Sequence, residues 1–289
     1  MVRQHETKCY LCGSAEHRRR PGKVRDDASL KIFECQNCGL VFLSRLALPE
    51  EFYEQSSMHG GYPPPVDAWL RDTDRDDERR FHYLSEAITN RDVLDFGCGV
   101  GGFLLKARSR AQTVMGVELE TRLQSHYQAN HFQVFQSIED LPAGHQFDLI
   151  TAFHVIEHLE DPADMLRQLA MKLKKRGGKI IIELPSSADA LLTLYKSVPF
   201  SEFTYWSCHL YLFNASNLKL LAKKSGLKLD YVSHIQRYPL SNHLYWLAKG
   251  KPGGHCVWSF LDSDEISRAY EARLASMGIT DTLIAGLSL

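Results

Sequence analysis

From residue 92 onward, short apolar runs alternate with stretches of helical periodicity. We predict strands near residues 92–95, 113–118, 132–136, 147–153 and 178–184. Between them, apolar positions recur with the 3.6-residue spacing of amphipathic helices, which predicts helices near 101–110, 121–129 and 162–175. Such alternation is typical of a parallel sheet with helices on both faces. The pattern therefore predicts a doubly wound α/β domain.

The segments on either side of this alternation are less regular. After an irregular insert from Pro185 to about 213, we predict a helix at 215–225 and two strands, at 227–235 and 243–249, that complete the sheet edge. A helix at 264–277 and a short apolar end follow. Upstream, a charged helix from about 67 to 89 carries both signs of charge between Arg71 and Arg80, which predicts a face turned toward solvent.

Length and charge limit the classes of function. The 289 residues are enough for one large core and a small module, and 44% hydrophobic content is ordinary for a globular protein. A net charge of −1 gives no general basic field, so a long nucleic-acid substrate is disfavoured. The sequence shows neither an apolar signal segment at its start nor an apolar run of about 18 residues. We therefore expect a cytoplasmic protein that acts on a small polar substrate, and oligomeric state stays open.

Four of the seven cysteines have the spacing of a metal site. Two Cys-x-x-Cys pairs, each followed by glycine, are separated by 22 residues. Zn²⁺ prefers four tetrahedral thiolates in structural sites, and paired turns of this kind bring them together. We predict a zinc ribbon over residues 1–45, with a closed and therefore structural site. Its ligands are Cys9, Cys12, Cys35 and Cys38.

A glycine-rich loop follows the first strand of the α/β domain. The apolar strand ends in Asp95, and Gly97, Gly99 and Gly102 then form a Gly-x-Gly-x-x-Gly pattern that opens a helix. These glycines fit any nucleotide site of Rossmann type. A carboxylate at position 95 would repel a pyrophosphate but suits the cationic methionyl end of S-adenosylmethionine. Glu118, after the second strand, is placed to accept hydrogen bonds from ribose hydroxyls in either cofactor. We therefore predict S-adenosylmethionine over NAD.

With these motifs the chain resembles the class I S-adenosylmethionine-dependent methyltransferases. The resemblance rests on Asp-x-Gly-Cys-Gly-x-Gly, on Gly-x-Glu and on His-x-x-Glu-His-Leu-x-Asp-Pro, and it spans about residues 91–249. It implies a Rossmann-like, seven-stranded sheet. The cofactor-binding residues that we expect are Asp95, Gly97, Cys98, Gly99, Gly102, Glu118, Leu119, Ile138, Phe153 and Tyr62.

A zinc module before such a core is also similar to the layout of deoxysugar C-methyltransferases and of methyltransferases from polysaccharide and antibiotic clusters. The resemblance gives weight to His158 and His209 as the general base. His154 is a third candidate, for which we favour the role of a pocket wall. Cys208 stands where the C-methyltransferases carry a glutamate. Because a thiol is a poor base, this difference favours O-methylation with His209 as the base. The acceptor would be a nucleotide-linked sugar, a glycan or its phosphate-type substituent.

The sequence divides into a zinc ribbon (1–45), a helical connector or lid (46–90), the methyltransferase core (91–249) and a C-terminal extension (250–289). Two alternatives stay open. One is an RNA methyltransferase that recognises RNA through the basic run from Arg18 to Arg25, although the chain lacks the Pro-Pro motif of adenine-N6 methylation. The other is a scaffold that binds the cofactor without catalysis.

Overall fold

The computed structural model describes residues 8–45 and 65–289. Two sheets organise the described chain. A four-stranded antiparallel sheet has the order β1-β2-β3-β9, and a seven-stranded sheet has the order β10-β11-β8-β7-β4-β5-β6. The strands are β1 (His17–Arg19), β2 (Ile32–Cys35), β3 (Val41–Leu43), β4 (Asp92–Phe96), β5 (Thr113–Val117), β6 (Gln133–Phe135), β7 (Leu149–Phe153), β8 (Lys179–Pro185), β9 (Tyr211–Leu212), β10 (Lys228–Ile235) and β11 (Thr282–Ser288).

Helices cover the seven-stranded sheet and connect its strands. They are α1 (Val66–Tyr83), α2 (Ser85–Ile88), α3 (Gly102–Ala107), α4 (Gln124–Ala129), α5 (Pro162–Met171), α6 (Ala190–Thr193), α7 (Val198–Ser201), α8 (Ala215–Lys224), α9 (Leu240–Lys249), α10 (Gly254–Val257) and α11 (Asp264–Met277). Asp161 caps α5 by accepting a hydrogen bond from the backbone N–H of Asp164, and Pro162 occupies the first turn. The predicted doubly wound, seven-stranded α/β fold is confirmed.

The last strand of the sheet is not where the sequence predicts it. Residues 243–249 form part of helix α9, and β11 lies instead between β8 and β10, antiparallel to both. In α9 the buried residues include Asn242, His243, Tyr245 and Trp246, which fit a helical face and not the alternation of a strand. The segment 250–289, predicted as an extension, therefore supplies a strand of the central sheet.

Neighbouring residues of each central strand face opposite sides of the sheet. Val93 and Leu94 of β4 are both fully buried, but they belong to different hydrophobic clusters. The cluster around Val93 includes Phe103 of α3 and Ile88 of α2. The cluster around Leu94 includes residues of α5 and α8 and also Phe42 of β3. The N-terminal sheet therefore shares one hydrophobic core with the central sheet.

The described part of the chain contains no helix long and apolar enough to cross a membrane.

Candidate functional site

A cavity of 360 Å³ opens at the carboxyl ends of β4, β5 and β7. In an open parallel sheet, ligands bind at this edge, where the loops after neighbouring strands diverge. The walls comprise the glycine loop, the end of β5, the segment after β7 and the inner face of α1, together with Arg237 from the loop after β10. The cavity is of the size that a small-molecule cofactor site occupies, about 300–1,000 Å³.

The glycines of the loop let two other segments approach it closely. Gly97 has a φ of 76°, and a Cβ at this position would lie 2.4 Å from Cγ2 of Val155. A Cβ on Gly102 would lie 2.1 Å from Oδ2 of Asp77, and one on Gly99 would lie 3.3 Å from the Trp69 ring. The glycine pattern thus has a steric reason: α1 and the segment after β7 rest directly on this loop.

Two acids, one of them fully buried, line the cavity at the ends of β4 and β5. Asp95 is 3% exposed, and its Oδ1 accepts a hydrogen bond from Oγ1 of Thr151 at 2.7 Å. Burial raises the pKa of Asp95 to about 7. At β5, Oε2 of Glu118 accepts a hydrogen bond from the backbone N–H of Gly99 at 2.8 Å, and burial raises the pKa of Glu118 also. A ligand that carries positive charge or hydroxyl donors would therefore stabilise the ionised form of both carboxylates.

Helix α1 closes the cavity through ion pairs to β8. Glu183, at the end of β8, is fully buried and accepts hydrogen bonds from Nη2 of Arg79 at 2.9 Å and Nη2 of Arg80 at 2.8 Å. Burial alone would raise the pKa of Glu183, but His154 and the two guanidinium groups hold it well below its ordinary value. These two pairs tie the inner face of α1 to the sheet, and Arg80 also pairs with Asp77 within the helix at 3.1 Å.

The sequence-based prediction that this charged stretch of α1 faces solvent is therefore wrong for its inner face. Asp77 and Arg80 are 4% and 8% exposed. Asp76, Asp77 and Arg80 line the cavity. The mixed charges that suggested a solvated surface are instead partners of Glu183 and of Arg237, two residues more than a hundred positions away in the sequence.

Arg237 joins α1 to the segment after β7. Its guanidinium pairs with Asp76, and its Nη1 lies 3.2 Å from Nε2 of His154. Burial would raise the pKa of Asp76, but Arg237 outweighs burial and lowers it to about 2. No sequence motif singled out Arg237, and only the tertiary packing of the loop after β10 brings it to the cavity.

The three candidate histidines occupy different depths. His154 lines the cavity and has Nδ1 3.2 Å from Glu157 and Nε2 3.2 Å from Glu183. Burial disfavours its protonation, but these two carboxylates outweigh burial and raise the pKa of His154. His154 also has a φ of 55°, a left-handed conformation that is rare for a residue with a side chain. It is therefore a tightly held wall of the cavity.

His158 lines the cavity as well, whereas His209 is not part of the lining. The two imidazole rings meet edge to face with centroids 4.8 Å apart. Burial lowers the pKa of His158, and it lowers that of His209 to about 3. Both rings are thus neutral at pH 7, the form in which an imidazole accepts a proton. Of the two, only His158 is among the residues that line the cavity.

Most of the residues predicted to bind a cofactor converge on this cavity. Its lining includes Asp95, Gly97, Cys98, Gly99, Gly102, Glu118, Leu119 and Phe153. Ile138 is not part of the lining, since its side chain is 5% exposed and packs in the hydrophobic core. Tyr62 lies outside the described residues. Sequence reasoning missed Trp69, Thr73, Asp76, Asp77, Arg80 and Arg237.

The four cysteines of the two Cys-x-x-Cys pairs converge at the base of the N-terminal sheet. Their sulfur atoms all lie within 4.8 Å of one another. Sγ of Cys9 is 3.5 Å from Sγ of Cys38, and Sγ of Cys12 is 3.5 Å from Sγ of Cys35. Tyr10 lies in the turn between Cys9 and Cys12. Its hydroxyl group accepts a hydrogen bond from the backbone N–H of Ala163 at 2.9 Å, which ties this turn to the start of α5. The donor set suits a tetrahedral thiolate metal site.

Comparison with known families assigns the fold and the class of reaction. The model of one family, described as a methyltransferase domain, matches residues 69–232, which is more than half of the chain. The chain belongs to this methyltransferase family. The match begins at Trp69 in α1 and ends in β10, so it contains both the glycine loop and the helix that closes the cavity. The protein is an S-adenosylmethionine-dependent methyltransferase.

The individual proteins that match the chain share only low sequence identity with it. The chain is 27% identical over 181 residues to a ubiquinone biosynthesis O-methyltransferase of Coxiella burnetii, covering 56% of this chain and 75% of the relative. It is 32% identical over 116 residues to the protein of the same name from Escherichia fergusonii, covering 35% and 47%. Among solved structures, a chain from the complex of the Haloferax volcanii Trm112 methyltransferase activator and the methyltransferase matches at 16% identity and a TM-score of 0.50, covering 77% of this methyltransferase and 96% of that chain. This last similarity concerns the fold alone.

Proposed function

We propose that the enzyme transfers a methyl group from S-adenosylmethionine to a hydroxyl oxygen of a small polar acceptor, with His158 as the general base. The observation that carries the proposal is the position of His158. It lines the same cavity as the glycine loop, and burial keeps its ring neutral and ready to accept a proton. General bases of this kind contribute about 10²- to 10⁴-fold to a rate.

The residues around the glycine loop fit the cofactor. Gly97 and Gly99 line the cavity, so their backbone would contact the cofactor directly. Asp95 would face the cationic methionyl end, and Glu118 would accept hydrogen bonds from the ribose hydroxyls. Bound S-adenosylmethionine supplies a methyl group on a sulfonium, an electrophile that needs no further activation. What remains for the protein is to align the acceptor oxygen and to remove its proton.

The choice of His158 over His209 follows from their arrangement. An acceptor in the cavity would meet the ring of His158, because His209 packs edge to face against that ring and is not part of the cavity lining. Glu157 is fully buried, with Oε1 3.9 Å from Nε2 of His158, so it would stabilise the imidazolium formed when the proton is taken up. His209 then acts as a packing partner that holds the ring of His158 in place.

The remaining polar groups of the cavity would orient the acceptor. His154 and Arg237 both line the cavity, with Nη1 of Arg237 3.2 Å from Nε2 of His154. Their side-chain N–H groups would donate hydrogen bonds to an acceptor that carries hydroxyl, carboxylate or phosphate oxygens. The ubiquinone biosynthesis enzymes to which the chain is similar are O-methyltransferases, which supports transfer to oxygen. The resemblance to deoxysugar and polysaccharide-cluster methyltransferases supports a nucleotide-linked sugar or a glycan as the acceptor.

We propose further that Cys9, Cys12, Cys35 and Cys38 bind one structural Zn²⁺. Four thiols already gathered within 4.8 Å leave no position for substrate, so the metal would stabilise the N-terminal sheet and take no part in the reaction.

The test of the methyl-transfer proposal uses labelled S-adenosylmethionine with a panel of nucleoside-diphosphate sugars, phenols and a transfer RNA. We expect transfer to a member of the first two classes. In the His158→Ala variant, kcat should fall at least 10²-fold, while the Kd for S-adenosylhomocysteine stays unchanged. His82→Gln serves as the control, because His82 is exposed on the outer face of α1.

Three outcomes would contradict this assignment. Full turnover in His158→Ala together with a loss in His209→Ala would move the base to His209. Labelling of RNA alone would favour the RNA methyltransferase. Tight binding of S-adenosylhomocysteine without transfer to any acceptor would favour a non-catalytic scaffold.

A further inference from the structure

A second cavity, of 610 Å³, lies between the N-terminal sheet and the insert that follows β8. One wall is formed by the end of β1, from Arg18 to Pro21. The other wall is formed by the insert, and it includes Ser187, Lys196 and Tyr205. The methyl-transfer site described above uses none of these residues. We call this space the basic cleft.

The basic cleft has an excess of positive charge. Four cations line it, namely Arg18, Arg19, Arg20 and Lys196, against a single carboxylate, that of Glu34. Glu34 pairs with Arg18 at 3.0 Å and with Arg20 at 3.8 Å. Over residues 8–45 and 65–289, neither Arg19 nor Lys196 has an acidic partner. The cleft therefore holds uncompensated positive charge on both walls.

A buried hydroxyl group points to a ligand in the same place. Tyr205 is 1% exposed, and its hydroxyl oxygen lies beside the guanidinium of Arg20, which can only donate, so the hydroxyl proton has no acceptor among the residues that the structure describes. Buried hydroxyl groups are almost always hydrogen-bonded, because leaving one unpaired is unfavourable. A ligand oxygen in the cleft would satisfy it.

We propose that the basic cleft binds the phosphate groups of a small molecule, of the nucleoside diphosphate class. Phosphate oxygens accept hydrogen bonds from guanidinium, ammonium and hydroxyl donors, all of which the cleft presents. A volume of 610 Å³ exceeds what one phosphate fills and lies within the range of small-molecule sites. The proposal does not depend on methyl transfer, and it assigns a site away from the cofactor cavity.

The neighbouring cations argue for a compact ligand over an RNA strand. The guanidinium of Arg25 stacks on the Trp206 ring at 4.0 Å, and Lys23 pairs with Glu202 at 2.7 Å. An RNA strand would need a continuous track of available cations along the surface. Here the basic run is divided, because Lys23 and Arg25 are already engaged and only the part that lines the cleft remains open.

The experiment is isothermal titration of the full-length, zinc-loaded protein with pyrophosphate, with uridine diphosphate and with a single-stranded RNA oligonucleotide. We expect pyrophosphate and uridine diphosphate to bind, with the nucleotide tighter. The double variant Arg19→Gln/Lys196→Gln should weaken pyrophosphate binding at least tenfold. Lys175→Gln/Arg176→Gln, which removes the same charge from an exposed turn outside the cleft, should leave it unchanged.

Tyr205→Phe tests the hydroxyl group separately, and we expect about a two- to tenfold loss of pyrophosphate affinity without loss of stability. The proposal is overturned if pyrophosphate does not bind at millimolar concentration. It is also overturned if both double variants weaken pyrophosphate binding equally, or if RNA binds more tightly than uridine diphosphate. Titration of each variant with S-adenosylhomocysteine separates the two sites, since the proposal holds even where that ligand fails to bind.

Discussion

Replacing Gly97 with alanine tests how tightly the cofactor loop is packed. At this position a Cβ meets two penalties, a φ of 76° and a contact of 2.4 Å with Cγ2 of Val155. Gly144 offers a matched comparison, because its φ is 74° but nothing lies within 4 Å of its Cβ position. The two substitutions therefore share the backbone penalty and differ in the steric contact.

The expected magnitudes follow from these two terms. The left-handed conformation destabilises a residue with a Cβ by about 1–2 kcal/mol, and alanine recovers about 0.4–1 kcal/mol because it restricts the unfolded chain. Both terms apply to Gly97 and Gly144 alike. Overpacking against Val155 adds about 1–3 kcal/mol at Gly97 alone. We therefore expect Gly97→Ala to lower the free energy of unfolding by about 1–3 kcal/mol more than Gly144→Ala does.

Urea unfolding followed by tryptophan fluorescence measures the difference, and a double-mutant cycle with Val155→Ala identifies its source. Removing the valine methyl groups should make Gly97→Ala less destabilising, so the coupling energy should be about 1–3 kcal/mol. Equal losses of stability for Gly97→Ala and Gly144→Ala would refute the steric reasoning. So would additivity of Gly97→Ala with Val155→Ala.

Two further predictions concern Asp95 and the four cysteines. Because the pKa of Asp95 is raised to about 7 in the folded state from an ordinary 3.8, this residue favours folding at low pH, and the contribution is lost as pH rises through 7. Between pH 5 and pH 8, wild type should lose about 3 kcal/mol of unfolding free energy relative to Asp95→Asn in urea titrations, and parallel curves would contradict this. Cys35→Ser should reduce the zinc content of purified protein from one per chain and speed hydrogen exchange in β2 and β3, whereas Cys256→Ser, at an exposed thiol, should do neither. Unchanged zinc in Cys35→Ser would rule out the four-cysteine site.

The sequence predicts well what depends on local pattern. The five strands of the parallel alternation and the glycine loop have apolar runs and turn residues that identify them within a window of about ten residues. The convergence of Asp95 and Glu118 could also be predicted, because the carboxyl ends of parallel neighbouring strands must meet at one edge of the sheet.

What could not be predicted depends on contacts between distant segments. The inner face of α1 has the composition of a solvated helix, and only Glu183 and Arg237 reveal why charges are buried there. Similarly, the short apolar end of the chain has no alternation, because β11 is buried on both faces between β8 and β10. The aromatic segment at 243–249 was the more obvious strand, but its apolar positions serve a helix instead.

The two-residue strand β9 changes how the N-terminal module should be regarded. Tyr211 and Leu212 pair with Phe42 and Val41, so the catalytic core itself supplies the fourth strand of the N-terminal sheet. A fragment that ends at residue 45 would expose the edge of β3, and open edges of this kind recruit other chains. We therefore expect an N-terminal module exchanged between related enzymes to fold correctly only when the insert that carries β9 is exchanged with it.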